Sequence, residues 1–248
     1  MVEPRLPSGS ASVSDLMDAA TRVFHATLAK CLPFALFGIL FVALPNMYWL
    51  TTGKPIDPLQ AQRDPKLWVL AVAGIALYQL FAAALMVRQR ALLLGHAPQL
   101  RVELSVALAR WPVLFLSSVL AWVAVLAGLF ALVLPGVFLL VCFQLLRPVV
   151  LFETLNPVQA VVRCVRLVQP IWRKALAAAV VALLIYLVCW LAAIAAFGIL
   201  QIVLSAASVK PSAISAFSVA CELGIQAVAL VYFSALWLQV YSAASSSA

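Results

Sequence analysis

The sequence predicts an all-α fold: a polytopic helical membrane protein with about six transmembrane helices and amphipathic interfacial helices. Composition is the first reason, because 66% of the residues are hydrophobic, only 10% are charged, and the mean hydropathy is +1.13. Water-soluble domains have much lower apolar content. Length is the second reason. About 20 apolar residues cross roughly 30 Å of hydrocarbon, so 248 residues can hold about six spans.

The apolar residues are concentrated in six long runs. The polar stretches between these runs are short, so we expect residues 1–248 to form a single integral membrane domain that begins with an N-terminal tail and an amphipathic helix over residues 1–30. The predicted spans are about 31–50, 67–87, 112–134, 136–154, 175–205 and 216–240.

The third and fourth runs are separated only by Pro135-Gly136, a turn-forming pair that predicts a tight helical hairpin over 112–154. The fourth run contains Gln144 and Arg147, so a re-entrant pair of helices is the alternative. Polar residues flank both segments, and this favours full spanning.

The basic residues are distributed unevenly between the two sides of the predicted topology, which is the third reason for the fold class. Lys and Arg near span ends are retained in the cytoplasm, so the bias predicts a bacterial inner membrane protein with both termini inside. The net charge of +8 then reflects contact with anionic lipid headgroups. A basic groove for nucleic acid is not present in the sequence. Twelve basic residues fall on the cytoplasmic side, namely Arg5, Arg22, Lys30, Arg88, Arg90, Arg101, Arg110, Arg147, Arg163, Arg166, Arg173 and Lys174, and four on the other, namely Lys54, Arg63, Lys66 and Lys210.

Three segments that precede spans have the pattern of amphipathic helices. The first begins with Ser12 and Asp15, which have the spacing of a capping box. The second covers about Arg101 to Trp111, and the third begins at Asn156-Pro157, an N-cap followed by proline at the first helical position. Helices with arginine on one face and aliphatic residues on the other lie in the membrane interface.

This order predicts three similar units, over about 13–87, 101–154 and 157–240, each an amphipathic helix followed by two spans. The alternative is that basic connections of any multipass protein show the same periodicity.

The region from Leu134 to Leu176 contains a Pro-Gly hairpin, an apolar run that ends in a proline and then an acidic residue, and an amphipathic helix with an Ala-x-x-Arg motif. The residues in this pattern are Pro135, Gly136, Pro148, Glu153, Ala160, Arg163 and Leu167. The region resembles an uncharacterised bacterial multipass membrane protein family related to the membrane domain of glycerophosphoryl diester phosphodiesterases. Two features depart from the family pattern: Cys164 replaces a serine, and residues 168–170 replace small polar and basic residues. The resemblance implies a membrane module without an established biochemical role, and it implies no phosphodiesterase activity, because a soluble catalytic domain is not among these residues.

The residues that usually carry catalysis or bind metals are scarce. His25 and His96 lie on different segments without a second ligand at metal spacing. The sequence contains no nucleophile elbow and no phosphate-binding loop. We therefore predict that the chain is not an enzyme and has no metal, catalytic or cofactor-binding residues. The five cysteines lack a Cys-x-x-Cys pair, which favours free thiols; they are Cys31, Cys142, Cys164, Cys189 and Cys221.

Two polar clusters are the candidate sites, because ionisable residues in apolar runs are costly. The first is an intramembrane cluster of Glu222, Gln226 and Gln201, in which a hairpin turn near residue 210 places Gln201 opposite Glu222. Its structural interpretation is interhelical hydrogen bonding. Its functional interpretation is a cation or proton site in a transport path, and Glu222→Gln separates the two because only a carrier would lose transport. A third interpretation is that the side chain of Glu222 extends toward the headgroups.

The second candidate site is an interfacial basic and acidic cluster near the cytoplasmic end of the fourth span. It consists of Arg147, Glu153, Arg163 and Arg166. We expect Arg147 to extend toward the headgroups, and Glu153 to form an ion pair with one of the other two arginines.

The leading functional hypothesis is a non-catalytic inner-membrane protein, an envelope- or lipid-associated scaffold or assembly factor. Its expected partners are the bilayer with its anionic headgroups and a membrane protein or a second copy of the chain. The alternative is a small transporter or lipid-translocating module, although paired Gly/Pro interruptions of spans are not evident in the sequence. A membrane-embedded lipid enzyme is the third class, and the missing catalytic cluster disfavours it.

Overall fold

The computed structural model describes residues 12–52, 64–131, 133–206 and 211–246, and within these ranges the chain is helical without a strand. Six of its helical segments are long and apolar enough to cross a membrane, as predicted. The helices are α1 (Val13–Val42), α2 (Leu44–Thr52), α3 (Pro65–Leu93), α4 (Leu100–Ala131), α5 (Val133–Gln144), α6 (Leu146–Phe152), α7 (Pro157–Val168), a 3₁₀ turn (Gln169–Ile171), α8 (Trp172–Ala206) and α9 (Pro211–Ser245).

The first span differs from the prediction at both ends. The Ser12–Asp15 capping box is present, but α1 then runs without interruption to Val42, so a separate amphipathic helix before this span was a wrong prediction. The predicted span 31–50 is instead broken at Ala43. Pro45 explains the break, because it has no N–H to donate to the carbonyl of Phe41.

The second amphipathic segment is also continuous with its span, since α4 extends from Leu100 to Ala131. Only the third is a separate helix. The backbone N–H of Asn156 donates to Oε1 of Gln159 at 3.3 Å at the start of α7, and the 3₁₀ turn at Pro170 separates α7 from α8. The prediction of three similar units was therefore wrong.

The predicted hairpin over 112–154 is present, with its reversal earlier than expected. Pro135 and Gly136 already lie in the first turn of α5, which begins at Val133. The two helices approach closely at glycines, because a Cβ on Gly128 would lie 3.1 Å from Cα of Gly136. The segment Val133–Phe152 is long and apolar enough to cross a membrane, so full spanning stays the prediction and the re-entrant pair its alternative.

The core is formed by α1, which packs against both α3 and α9, while α4 packs against α3 on one side and α5 on the other. Helices α6 and α7 pack against α4. We call the end of the bundle where α3 ends, α4 begins and α6 meets α7 the basic end, because Arg88, Arg90, Arg101 and Arg163 lie there. Helix α8 is the least packed, and most of its side chains from residue 183 to 202 are exposed.

Candidate functional site

Three of the polar contacts between helices contain a charged side chain, and these are the candidate functional features. We name them by their central residues. The Arg88 pair consists of Arg88 and Glu103. The Glu153 cluster consists of Glu153, Arg163 and Tyr241. The Arg147 cluster consists of Arg147, Gln79, Ser118 and Tyr78.

The Arg88 pair connects three helices. Nη2 of Arg88 lies 2.7 Å from Oε2 of Glu103, and Nε donates to the same oxygen at 2.8 Å. Nη1 donates to the carbonyl of Lys30 in α1 at 2.9 Å, and the guanidinium lies 4.4 Å from the ring centre of Phe34. The other oxygen of Glu103 accepts the backbone N–H of Gln99 at 3.2 Å. Since the Glu103 side chain is only 3% exposed, this is a buried, well-satisfied ion pair.

Sequence reasoning did not identify the Arg88 pair. The two residues flank a short connection, residues 94–99, between antiparallel helices. A basic and an acidic residue at similar distances before and after such a connection could have predicted the pair, because antiparallel helices bring these two positions together.

The Glu153 cluster connects α6, α7 and α9. Nε of Arg163 donates to Oε2 of Glu153 at 3.1 Å, and the hydroxyl of Tyr241 donates to Oε1 at 3.1 Å. Arg90 stacks over Phe152, with Cζ 4.0 Å from the ring centre. The predicted ion pair of Glu153 is therefore formed with Arg163, whereas Arg166 is exposed in the last turn of α7.

Arg147 lies in the interior of the bundle, apart from the Glu153 cluster. Its Nε donates to Oε1 of Gln79 at a long 3.4 Å, and Cζ lies 5.2 Å from the ring centre of Tyr78. Gln79 in turn donates to the hydroxyl of Ser118 at 3.3 Å. Gln79 is the central residue of the 29-residue helix α3, about 21 Å from either end at 1.5 Å per residue.

The expectation that Arg147 extends toward the headgroups of the basic end was therefore wrong. Helix α6 begins at Leu146 and runs toward the basic end. Side chains on a helix lean toward its N-terminus, so the side chain of Arg147 leans away from the basic end and toward the middle of α3.

The three residues of the predicted intramembrane cluster do not converge. Nε2 of Gln226 donates to Oε1 of Glu222 at 3.2 Å, one turn away on the same helix. The ring contact between Phe197 and Phe217 sets the register of α8 against α9, and it places Glu222 closer to the level of residue 192 than to that of Gln201. Both Glu222 and Gln201 are exposed.

A buried amide between α3 and α9 is another polar contact that sequence reasoning missed. Gln89 is fully buried; it donates to the carbonyl of Val231 at 3.0 Å and accepts the hydroxyl proton of Ser234 at 2.6 Å. Both polar atoms of the amide are satisfied, so this contact is structural.

The described residues contain no group of three His, Cys, Asp or Glu side chains that could hold a metal ion. Both His25 and His96 are exposed. Cys31, Cys142 and Cys164 are buried and free; Cys164, at the position where the family pattern has serine, packs in the core. Cys189 and Cys221 are also free thiols.

A small groove between α5 and the start of α8 has an apolar lining that includes Val137, Phe138, Trp172 and Leu176. It provides no polar group for acid or base chemistry.

In comparisons with protein-family models, curated proteins and solved structures, no match to this chain was found. The resemblance to the membrane domain of glycerophosphoryl diester phosphodiesterases thus stays a prediction.

Proposed function

We propose that this chain is a non-catalytic scaffold or assembly factor of the bacterial inner membrane, with both termini in the cytoplasm, whose basic end binds anionic lipid headgroups. The observation that carries the proposal is the amphipathic helix α7, which presents three different faces.

The first face of α7 docks on the protein, because Ala160, Cys164 and Leu167 are completely buried. The second is an exposed aliphatic face, in which Val158 is 65% exposed and Val162 is 43% exposed. A helix that is already docked and still exposes valines suits the acyl region just below the headgroups.

The third face of α7 is polar and carries Gln159, Arg163 and the exposed Arg166. Trp172 and Arg173 follow in the first turn of α8, and both are exposed. Tryptophan and arginine together are typical of the headgroup level of a bilayer. The charge and the valine face support a helix that lies in the interface and contacts anionic lipid.

The non-catalytic part of the proposal is supported by how the carboxylates of the basic end are engaged. Glu103 accepts from Arg88 and from the backbone of Gln99. Glu153 accepts from Arg163 and Tyr241. Carboxylates held in this way stabilise the structure and are poorly placed to accept a substrate proton.

Headgroup binding can be tested in nanodiscs that contain a mixture of phosphatidylcholine and phosphatidylglycerol. Native mass spectrometry measures how strongly phosphatidylglycerol is enriched among the lipids retained by the protein. We expect enrichment with the wild type and a roughly fivefold weaker preference with Arg166→Gln, since one basic group near the surface contributes about 1 kcal/mol.

The matched control is Lys66→Gln, which removes one exposed charge at the opposite end of α3. It should leave the preference unchanged. Equal enrichment for the wild type and Arg166→Gln would contradict headgroup binding by α7.

A lipid-translocating module is the second candidate, and two observations favour it. The predicted first and fourth spans are each interrupted, at Ala43 and at Leu145, and breaks within spans accompany binding sites in transporters. Arg147 lies just after the second of these breaks and contacts Gln79 in the middle of α3. Proteoliposomes with a fluorescent phospholipid analogue test it, since dithionite bleaching of more than the outer-leaflet half of the label indicates translocation.

A further inference from the structure

We propose that the Arg147 cluster binds a phosphate-class oxyanion within the membrane bundle. This inference depends on residues of α3, α4 and α6 and not on the α7 surface considered above. Its starting point is that the charge of Arg147 lies inside an apolar span, beside the middle of α3, with weak compensation inside the chain.

The depth follows from the partners of the side chain. The guanidinium contacts Gln79, the central residue of α3, and the ring of Tyr78. Gln79 also contacts Ser118, which lies near the middle of α4. A charge at this depth is expensive unless protein, water or a counter-ion surrounds it.

The charge is not compensated by a carboxylate in the described part of the chain. The ion pairs there join Glu103 to Arg88 and Glu153 to Arg163, and Glu222 is bound to Gln226 on α9. An arginine side chain keeps its charge in proteins and has five N–H donors. Among described residues, one of those donors of Arg147 has an acceptor, and that hydrogen bond is 3.4 Å long.

The chemistry of the unused donors identifies the class of ligand. A planar guanidinium binds phosphate or carboxylate oxygens through two parallel hydrogen bonds. The amide of Gln79 has one more N–H than the one it donates to Ser118. The hydroxyl of Ser118 donates to the carbonyl of Leu114, so its part is to hold Gln79 in place. We assign a phosphate-class ligand because a tetrahedral oxyanion has oxygens for the guanidinium and for this amide N–H at the same time.

The described residues do not enclose the guanidinium completely. Arg147 is half-buried, and Gln144, one turn earlier, is exposed. Helix α5 ends at Gln144, because Pro148 has no N–H to donate to its carbonyl. The backbone beside the guanidinium is therefore polar and irregular. The oxyanion can be the headgroup phosphate of a lipid or a free phosphate, and both offer the same oxygens.

The test measures thermal unfolding of the delipidated full-length protein in an uncharged detergent. The probes are inorganic phosphate, with chloride at equal ionic strength as reference, and short-chain phosphatidylglycerol, with short-chain phosphatidylcholine as reference. We expect the wild type to be stabilised by a phosphate probe, with affinity weakened roughly tenfold or more in Arg147→Gln. Stabilisation by both probes or by inorganic phosphate alone identifies a free anion as sufficient; stabilisation by phosphatidylglycerol alone identifies a lipid headgroup.

Gln79→Glu gives an independent check in case Arg147→Gln does not fold. The new carboxylate would pair with Arg147 and act as a built-in anion, so this variant should unfold at a higher temperature than the wild type without ligand and should no longer respond to phosphate. Arg166→Gln is the matched control and should keep the full response.

The proposal is overturned if neither probe stabilises the wild type, or if Gln79→Glu or a folded Arg147→Gln keeps the wild-type response. It is also overturned if Arg166→Gln abolishes the response, because the probe would then bind the α7 surface. Failure of headgroup binding at α7 in nanodiscs would leave the Arg147 cluster unaffected.

Discussion

Arg88 and Arg147 occupy similar positions between helices and have opposite environments. Arg88 has a carboxylate at 2.7 Å, a backbone carbonyl at 2.9 Å and an aromatic face. Arg147 has one amide oxygen at 3.4 Å and a more distant ring. The first environment satisfies the charge within the chain, and the second leaves hydrogen-bonding capacity for a ligand. The comparison teaches that the partners of an arginine between helices distinguish a structural residue from a candidate site.

Glu103→Gln gives the largest expected effect. Removing the carboxylate leaves Arg88 buried without a counter-charge, which typically costs about 3–5 kcal/mol. We expect the unfolding free energy in detergent, measured by chemical denaturation, to fall by about 3 kcal/mol. Arg147→Gln, which removes a charge that has no carboxylate partner, should cost less than about 1 kcal/mol in the absence of anion.

The control for this prediction is the double variant Arg88→Met with Glu103→Leu. Replacing a buried pair by apolar residues of similar volume is often neutral or stabilising, so the double variant should recover most of the loss. If Arg147→Gln and Glu103→Gln lowered the unfolding free energy equally, Arg147 would contribute as much to stability as the Arg88 pair, and the contrast between the two arginines would be contradicted.

Gly74→Ala has the next largest expected effect. A Cβ at Gly74 would collide with the backbone carbonyl of Phe41, and because backbone cannot rotate away, α3 must move from α1. Overpacking of this kind costs about 1–3 kcal/mol. The shift should loosen the contact of Arg88 with Lys30 on α1 and leave phosphate binding at Arg147 intact, since that cluster contacts α3 and α4.

Gly198→Ala is the matched control, because no atom lies within 4 Å of a Cβ at that position. Alanine is a better helix former than glycine by about 0.5–1 kcal/mol, so this variant should unfold at the same or a slightly higher denaturant concentration. A loss of stability in Gly198→Ala equal to that in Gly74→Ala would contradict the close approach of α1 and α3.

Tyr241→Phe has the smallest expected effect. The substitution removes one hydrogen bond to Glu153, whose ion pair with Arg163 is partly exposed, at 23% and 37%. Water can replace the lost donor. The thermal unfolding midpoint should therefore fall by an amount that corresponds to a loss of about 0.5–1 kcal/mol in unfolding free energy. Tyr232→Phe is the control: Tyr232 makes ring contacts with Phe24 and Phe233 and should tolerate the change. If Tyr241→Phe lowered the unfolding free energy more than Glu103→Gln does, the Glu153 cluster would stabilise the fold more than the Arg88 pair, against this prediction.

Much of the fold was predictable, because span length and apolar content are properties of short segments. The helix start at Ser12 and the proline-led start of α7 at Pro157 were predicted as well, since caps depend on neighbours within a few residues. The breaks at Ala43 and Leu145 were not predicted. Proline at 45 and at 148 was the local signal, but many transmembrane helices tolerate proline, as α1 does at Pro33.

The candidate sites were less predictable. An ion pair of Glu153 with Arg163 or Arg166 was predicted, because both arginines follow Glu153 across a short connection, and the structure forms it with Arg163. Arg147 was identified but assigned to the wrong neighbours, because its partner Gln79 is 68 residues away. Glu222 and Gln201 were expected to face each other, and the register set by Phe197 and Phe217 separates them.

The sequence by itself determined that the chain is all-α, that it has about six spans, and that its basic residues collect toward one predicted side. These properties follow from the cost of exposing polar backbone and charge to hydrocarbon, which acts on each segment separately. Only the tertiary structure decided that Arg88 is paired with Glu103 while Arg147 lies beside Gln79. Which charges meet depends on the register and rotation of helices that are distant in the chain, and these are set by side-chain packing between helices.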